Sequence, residues 1–265
     1  MRSLPPVQIG RIGKMGIHQQ RFSVTAMSPS LWLDAADKLS IEENAGNVCR
    51  WKDKSRNGNH VTQEIASYQP STSVNTINDV NIISFDGEND HLYTMSPFIY
   101  DAGSATIFTV HKAPPQSNKW PLAETNTTNN NSLYALFVSQ SLASTLNKFF
   151  IRSDSGSTLV SSSSEISMPY YTDSPVIATI VDTGSELTAY TNGVAGSATP
   201  LSYTRFSTLT PNRFCIGALL RASIDYATQI DIGEILVFSR VLTSRERNKV
   251  GRYLAKKWGV SWTEV

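Results

Sequence analysis

Charge is scarce in this sequence. Asp, Glu, Lys and Arg make up 17% of the 265 residues, too little for the charged flanks of a coiled coil. The hydrophobic share of 40% is in turn too high for a disordered chain. Lys and Arg number 23 against 22 acidic residues, so a net charge of +1 offers no global field for nucleic acid. No stretch approaches the roughly 18 consecutive apolar residues of a membrane span. Two cysteines and four histidines leave little material for a metal or redox centre. Cys49 and Cys215 stand 166 positions apart, outside any C-x-x-C, and read as free buried thiols. G-x-S-x-G, H-E-x-x-H and phosphate-cradling loops are all missing.

The first residues, MRSLPPVQIGRIGKMGIHQQRF, lack the 7–15-residue apolar core of a signal peptide, so the mature chain is expected to start here, in a cytoplasm or in a virus made there. Arg2, Arg11, Lys14 and Arg21 face no acidic residue before Asp34, and Gly10, Gly13 and Gly16 disfavour a helix. Two readings stand: a frayed tail, or an extended arm over residues 1–28 that orders against a partner subunit. In the second, Ile9, Ile12, Met15 and Ile17 are anchors and Arg11 and Lys14 supply charge.

From about residue 30 to 240, short β-type runs alternate with Gly, Asn, Asp, Ser and Pro. Pro175–Val181 and Leu187–Thr191 read as a hairpin, and Asn192-Gly193 reverses the chain again because both residues accept positive φ. Thr125–Ser132 and Ser153–Ser164 are polar loops or strand edges. About a dozen such runs describe an antiparallel sandwich and not β-α-β units. One helix is expected at about 243–258. Thr243 and Glu246 form a capping box, Val250, Tyr253, Leu254 and Trp258 make one face, and Gly259 closes it. Seven basic residues and one acidic lie between Arg240 and Lys257, read as a solvated outer face.

Several segments in order resemble concanavalin A-like lectin/glucanase domains of the laminin-G-like type. These are Ser30–Asp37, Trp51-Lys52-Asp53-Lys54-Ser55-Arg56-Asn57-Gly58-Asn59, Phe85-Asp86-Gly87 with Asp90-His91-Leu92, Tyr190-Thr191-Asn192-Gly193, and Gly233–Leu242 through Tyr253–Gly259. Arg56 stands where the family's turn has its first Gly. The resemblance implies an all-β, two-sheet antiparallel jelly-roll sandwich over residues 29–265, with one C-terminal α-helix and the N-terminal arm preceding it. Trp32, Trp51, Phe85 and Trp258 then read as packing. Asp53, Asn57 and Asn59 are expected to bond their own turn. Calcium, which some relatives hold near such loops, is the alternative there, but no cofactor or metal is expected.

The superfamily also includes glycoside hydrolases with E-x-D-x-(x)-E on one strand. Here the segment is Gln229-Ile230-Asp231-Ile232-Gly233-Glu234, and the amide of Gln229 cannot act as the nucleophile. Asp231 and Glu234 differ in strand parity and share a face only if Gly233 makes a bulge. The chain is therefore expected not to be an enzyme. The favoured reading is a structural or adhesion protein of a virion, of the kind the family supplies to bacteriophage capsids, tails and fibres, with copies of itself or other virion proteins as partners and neither nucleic acid nor membrane. A free or exported bacterial lectin, extracellular or at the cell surface, is the second reading, and a glucanase the third. For glycan stacking the rings nearest polar loops are Trp120, Tyr134, Tyr170 and Tyr171, with ordinary core packing as the alternative.

Overall fold

The computed structural model describes residues 22–139, 146–156, 165–167, 170–196 and 200–265. The residues expected to anchor or charge an arm, Ile9, Arg11, Ile12, Lys14, Met15 and Ile17, lie outside the described residues, as does the stretch 157–164.

Two antiparallel sheets face one another. The first runs Ser71–Ile77, Val80–Asp86, Gln229–Phe238, Ala105–Lys112, Val176–Asp182 and Glu186–Thr191, with Leu31–Asp34 on the far half of Gln229–Phe238. The second runs Leu146–Arg152, Leu133–Ser139, Leu122–Thr125, Arg213–Ile216, Leu92–Tyr93, Val61–Thr62, Asn47–Trp51 and Ile41–Asn44. One pair, Asn47 with Ser71, joins the sheets at their edge. The chain is an all-β jelly-roll sandwich carrying one C-terminal helix among its described residues.

Alternation along each strand divides the apolar residues between two cores. In Gln229–Phe238, Ile230, Ile232, Ile235 and Val237 point between the sheets, among Leu33, Trp51, Phe85, Tyr134 and Phe214. Leu236 and Phe238 point the other way, into a cluster with Val250, Leu254 and Trp258 of the helix Ser244–Trp258. The helix begins as its capping box requires: Thr243 Oγ1 accepts from the Glu246 amide, and the Glu246 carboxylate accepts from the Thr243 amide at 2.9 Å. Gly259 ends it at φ 66°. The tail returns along the helix, where Trp262 donates to Asn248 Oδ1 at 3.2 Å and covers Gly251. Val24 is buried in the same cluster and the ring of Phe22 lies 5.4 Å from that of Tyr253. Packing therefore begins before residue 29, inside the stretch expected to be arm.

The hairpins fall where the turn residues place them. Val176–Asp182 pairs with Glu186–Thr191, and Asn192 and Gly193 adopt φ 52° and 84° to bring Val194 opposite Thr191. Ser71–Ile77 carries no apolar alternation and was not foreseeable as a strand; its middle residues are exposed and only Thr72 and Ile77 are buried. Cys49 and Cys215 are free thiols.

Candidate functional site

Two of the four rings proposed for stacking are core residues. Tyr134 is fully buried between Tyr100 and Phe149, its hydroxyl donating to Asp182 Oδ2 at 2.8 Å. Tyr170 is sandwiched by His111 at 3.8 Å and Phe137 at 4.3 Å. Neither leaves a ring face for a sugar, because alternation turns Tyr134 inward and the close of the loop before Val176 folds Tyr170 under the sheet. Tyr171 is half-buried, and its hydroxyl donates to the Phe137 carbonyl at 3.0 Å.

Trp120 has a different setting. The outward residues of the second sheet, Ala123, Leu133, Ala135 and Val138, form a third apolar cluster with Leu219, against which Trp120 and Phe150 are only partly buried. The Trp120 ring lies 5.3 Å from Tyr226, nearly parallel at 28°, and 5.2 Å from Phe150, edge-on at 66°. Two contacts fix its backbone: the amide donates to Thr228 Oγ1 at 3.1 Å and to the Tyr226 carbonyl at 3.3 Å. Tyr226 is 44% exposed and sits at φ 52°, a left-handed conformation that a bulky residue adopts at a cost of about 1 kcal/mol. The surroundings hold this ring against its own backbone preference. Three aromatic rings thus meet on an outer sheet face, the arrangement that stacks on the apolar face of a pyranose.

Charge rims this platform. Arg152 lies two residues from Phe150 on the same strand face, opposite Leu133. Its Nε donates to the Asn131 carbonyl at 2.7 Å and its terminal nitrogen to the Asn130 carbonyl. Arg221, in the hairpin Leu219–Leu220 and Ile224–Asp225, donates to that same Asn130 carbonyl at 3.2 Å and pairs with Asp225 at 2.7 Å. Burial, and the charge of Arg221 beside it, pull the Arg152 guanidinium below its ordinary value. Phe150, Tyr226, Arg152 and Arg221 were missed by sequence reasoning. Phe150 and Arg152 read as ordinary strand residues, and Tyr226 is a lone aromatic in a polar turn with no periodicity to flag it.

The acidic residues are otherwise engaged. Gly233 does form a bulge, since pairing with Ala105–Lys112 shifts between Ile232 and Glu234, and Asp231 and Glu234 consequently share a face. That face is the outer one, beneath the helix. Glu234 accepts from Trp32 Nε1 at 2.7 Å, Tyr253 hydroxyl at 2.9 Å, Lys257 at 2.7 Å and Trp258 Nε1 at 2.8 Å. Burial raises its pKa against the pull of Lys257. Asp231 pairs with Lys112 at 3.4 Å and lines a polar cleft of about 440 Å³ with Asp86, Asp90 and Asp173. There Asp86 Oδ1 caps the amides of Glu88, Asn89 and Asp90, and burial raises Asp90 to about 6. Asp53 spends both oxygens on Trp32, Ser55 and Asn59, while the side-chain amides of Asn57 and Asn59 donate to the Ser30 carbonyl. This turn ties itself to the first strand. No group of three His, Cys, Asp or Glu among the described residues is arranged to hold a metal ion.

No protein-family model and no curated protein sequence matches the chain. Solved structures do share its fold. The receptor-binding domain of botulinum neurotoxin C/D mosaic serotype superposes with a TM-score of 0.55 at 15% identity, over 89% of this chain and 55% of that one. The botulinum neurotoxin serotype D ligand-binding domain in complex with N-acetylneuraminic acid gives 0.54 at 14% identity, over 90% of this chain and 56% of that one. A Trypanosoma rangeli sialidase mutant displaying trans-sialidase activity gives 0.53 at 12% identity, over 89% of this chain and 34% of that one. This chain spans little more than half of the toxin domains and a third of the sialidase, and what it has in common with them is the sandwich.

Proposed function

We propose that this chain is a non-catalytic carbohydrate-binding sandwich of the concanavalin A-like lectin kind, carried on a virus particle, most simply a bacteriophage, by its N-terminal arm. The observation that carries the binding reading is the Trp120, Phe150 and Tyr226 platform on the outer face of the second sheet. One solved structure of the same fold is a complex with N-acetylneuraminic acid, which supports a sugar as the ligand class. The non-catalytic reading rests on Gln229 at the nucleophile position and on Glu234 being enclosed by four donors under the helix. The particle reading rests on the basic, Gly-punctuated composition of residues 1–21.

A glycan array probed with the full chain tests the first part. Trp120→Ala is expected to weaken binding about tenfold, equivalent to about 1.4 kcal/mol, the scale of one aromatic stacking contact. Flat binding across the array, or an unchanged Trp120→Ala profile, overturns it. Reducing ends released from β-glucans, with turnover lost in Asp90→Asn, would restore the glucanase. Removing residues 1–21 is expected to abolish incorporation into particles while leaving the melting temperature of the sandwich unchanged. Normal incorporation discards the arm, and leaves the exported lectin.

A further inference from the structure

We infer that the ligand of this platform is an anionic sugar whose carboxylate or sulfate is taken by Arg152, with Arg221 beside it; the inference rests on the platform being the glycan site. Two guanidiniums converge on a single neutral acceptor, the carbonyl oxygen of Asn130. Among the described residues Asp225 is the one carboxylate paired there, and it bonds Arg221. Asp154, two residues beyond Arg152, turns its carboxylate to Ser132 and Thr210 instead. Among the described residues Arg152 has no acidic partner, so the rim carries one positive charge more than it balances.

Arg152 is nevertheless held in place. Its contacts with the carbonyls of Asn130 and Asn131 use the Nε hydrogen and one terminal hydrogen, leaving three of the five donors unspent. Among the described residues the Arg152 terminal nitrogen that makes neither contact is not a buried atom lacking a partner, so its two hydrogens reach solvent. A planar fork positioned by backbone carbonyls is suited to two-point recognition of a carboxylate or sulfate. An arriving anion also relieves the repulsion between Arg152 and Arg221, which adds to burial in lowering the Arg152 guanidinium. Phe150 and Arg152 share a strand face, so the fork lies on the same side of the sheet as the aromatics.

The test uses pairs of immobilised oligosaccharides that differ only in the acid: a carboxylated sugar, its neutral methyl ester, a sulfated sugar and its unsulfated parent. The full chain is expected to bind at least one acidic member about tenfold more tightly than its neutral partner, and the two arms tell carboxylate from sulfate. Arg152→Gln is expected to erase that preference while retaining the weak binding of the neutral sugar, and Arg152→Lys to keep part of it because the charge remains without the fork. Equal binding within both pairs, with Trp120→Ala weakening it about tenfold, overturns the anion inference and leaves the platform standing. No binding of any member overturns the platform reading and the inference with it.

Discussion

Glu234 ties the C-terminal helix to the first sheet. Its carboxylate is fully buried and receives the indole N–H of Trp32 and of Trp258, the hydroxyl of Tyr253 and the ammonium of Lys257. Lys257 also bonds Asp34, which in turn bonds Lys54 at 2.8 Å, so the helix is pinned to the first sheet through a chain of alternating charge. Replacing Glu234 by Ala leaves two indoles and a lysine facing an empty site. Breaking a buried ion pair from one side costs about 3–5 kcal/mol, and at about 2–4 °C per kcal/mol for a chain of this size the melting temperature falls by about 10 °C. Glu234→Gln keeps the shape and separates charge from volume. Whichever way its amide is turned, the NH2 group meets an indole N–H, because each oxygen of Glu234 receives one indole. A loss of about 2 kcal/mol follows from that donor–donor encounter and the missing charge. Calorimetry on the full chain and both variants is the assay. A catalytic carboxylate held against its preference behaves in the opposite way, and its removal stabilises. If Glu234→Gln melts at or above the wild-type temperature, the structural role assigned to Glu234 is wrong.

Gly251 provides a test of sign. An exposed helical Gly→Ala change stabilises by about 1 kcal/mol, but here the new methyl points into the ring of Trp262. Gly251→Ala is expected to lower the melting temperature and to raise the solvent exposure of Trp262 fluorescence; a higher melting temperature refutes the tail docking. His111 supplies a pH test. It is fully buried, and burial takes its pKa from 6.5 to about 4 against hydrogen bonds with the Tyr170 carbonyl and Thr109. The unfolded chain therefore binds a proton that the folded chain refuses between those values, so the contribution is intact above pH 6.5 and fades as pH falls toward 4. Between pH 7.5 and pH 5 the wild type therefore loses about 2 kcal/mol relative to His111→Gln, the buried carboxyls Asp90 and Glu124 shifting both proteins alike. Parallel pH profiles of denaturant midpoints for the two proteins would contradict the assignment. Thr243→Ala removes the hydroxyl that caps the helix and is expected to cost about 1 kcal/mol in urea unfolding, with no effect on glycan binding.

Local chemistry determined much of this protein. Thr243 and Glu246 specify a helix start because cap and carboxylate are three residues apart, Asn192-Gly193 specifies a reversal because both tolerate positive φ, and the apolar run from Ile230 to Phe238 specifies a buried strand. These signals act over a few residues, and they suffice for an antiparallel sandwich closed by one helix. The site is another matter. Which of two sheet faces is core and which is surface is decided by pairing between distant strands. Alternation alone therefore could not separate Tyr134, which turns inward, from Trp120, which stays on an outer face. One extra residue at Gly233 moved Glu234 under the helix, and Trp120, Phe150 and Tyr226 became neighbours only when three separate segments closed on one another. A platform built from side chains 30 and 106 positions apart from Trp120 leaves no periodic trace, because its geometry belongs to the packed sheets and to no single stretch of chain.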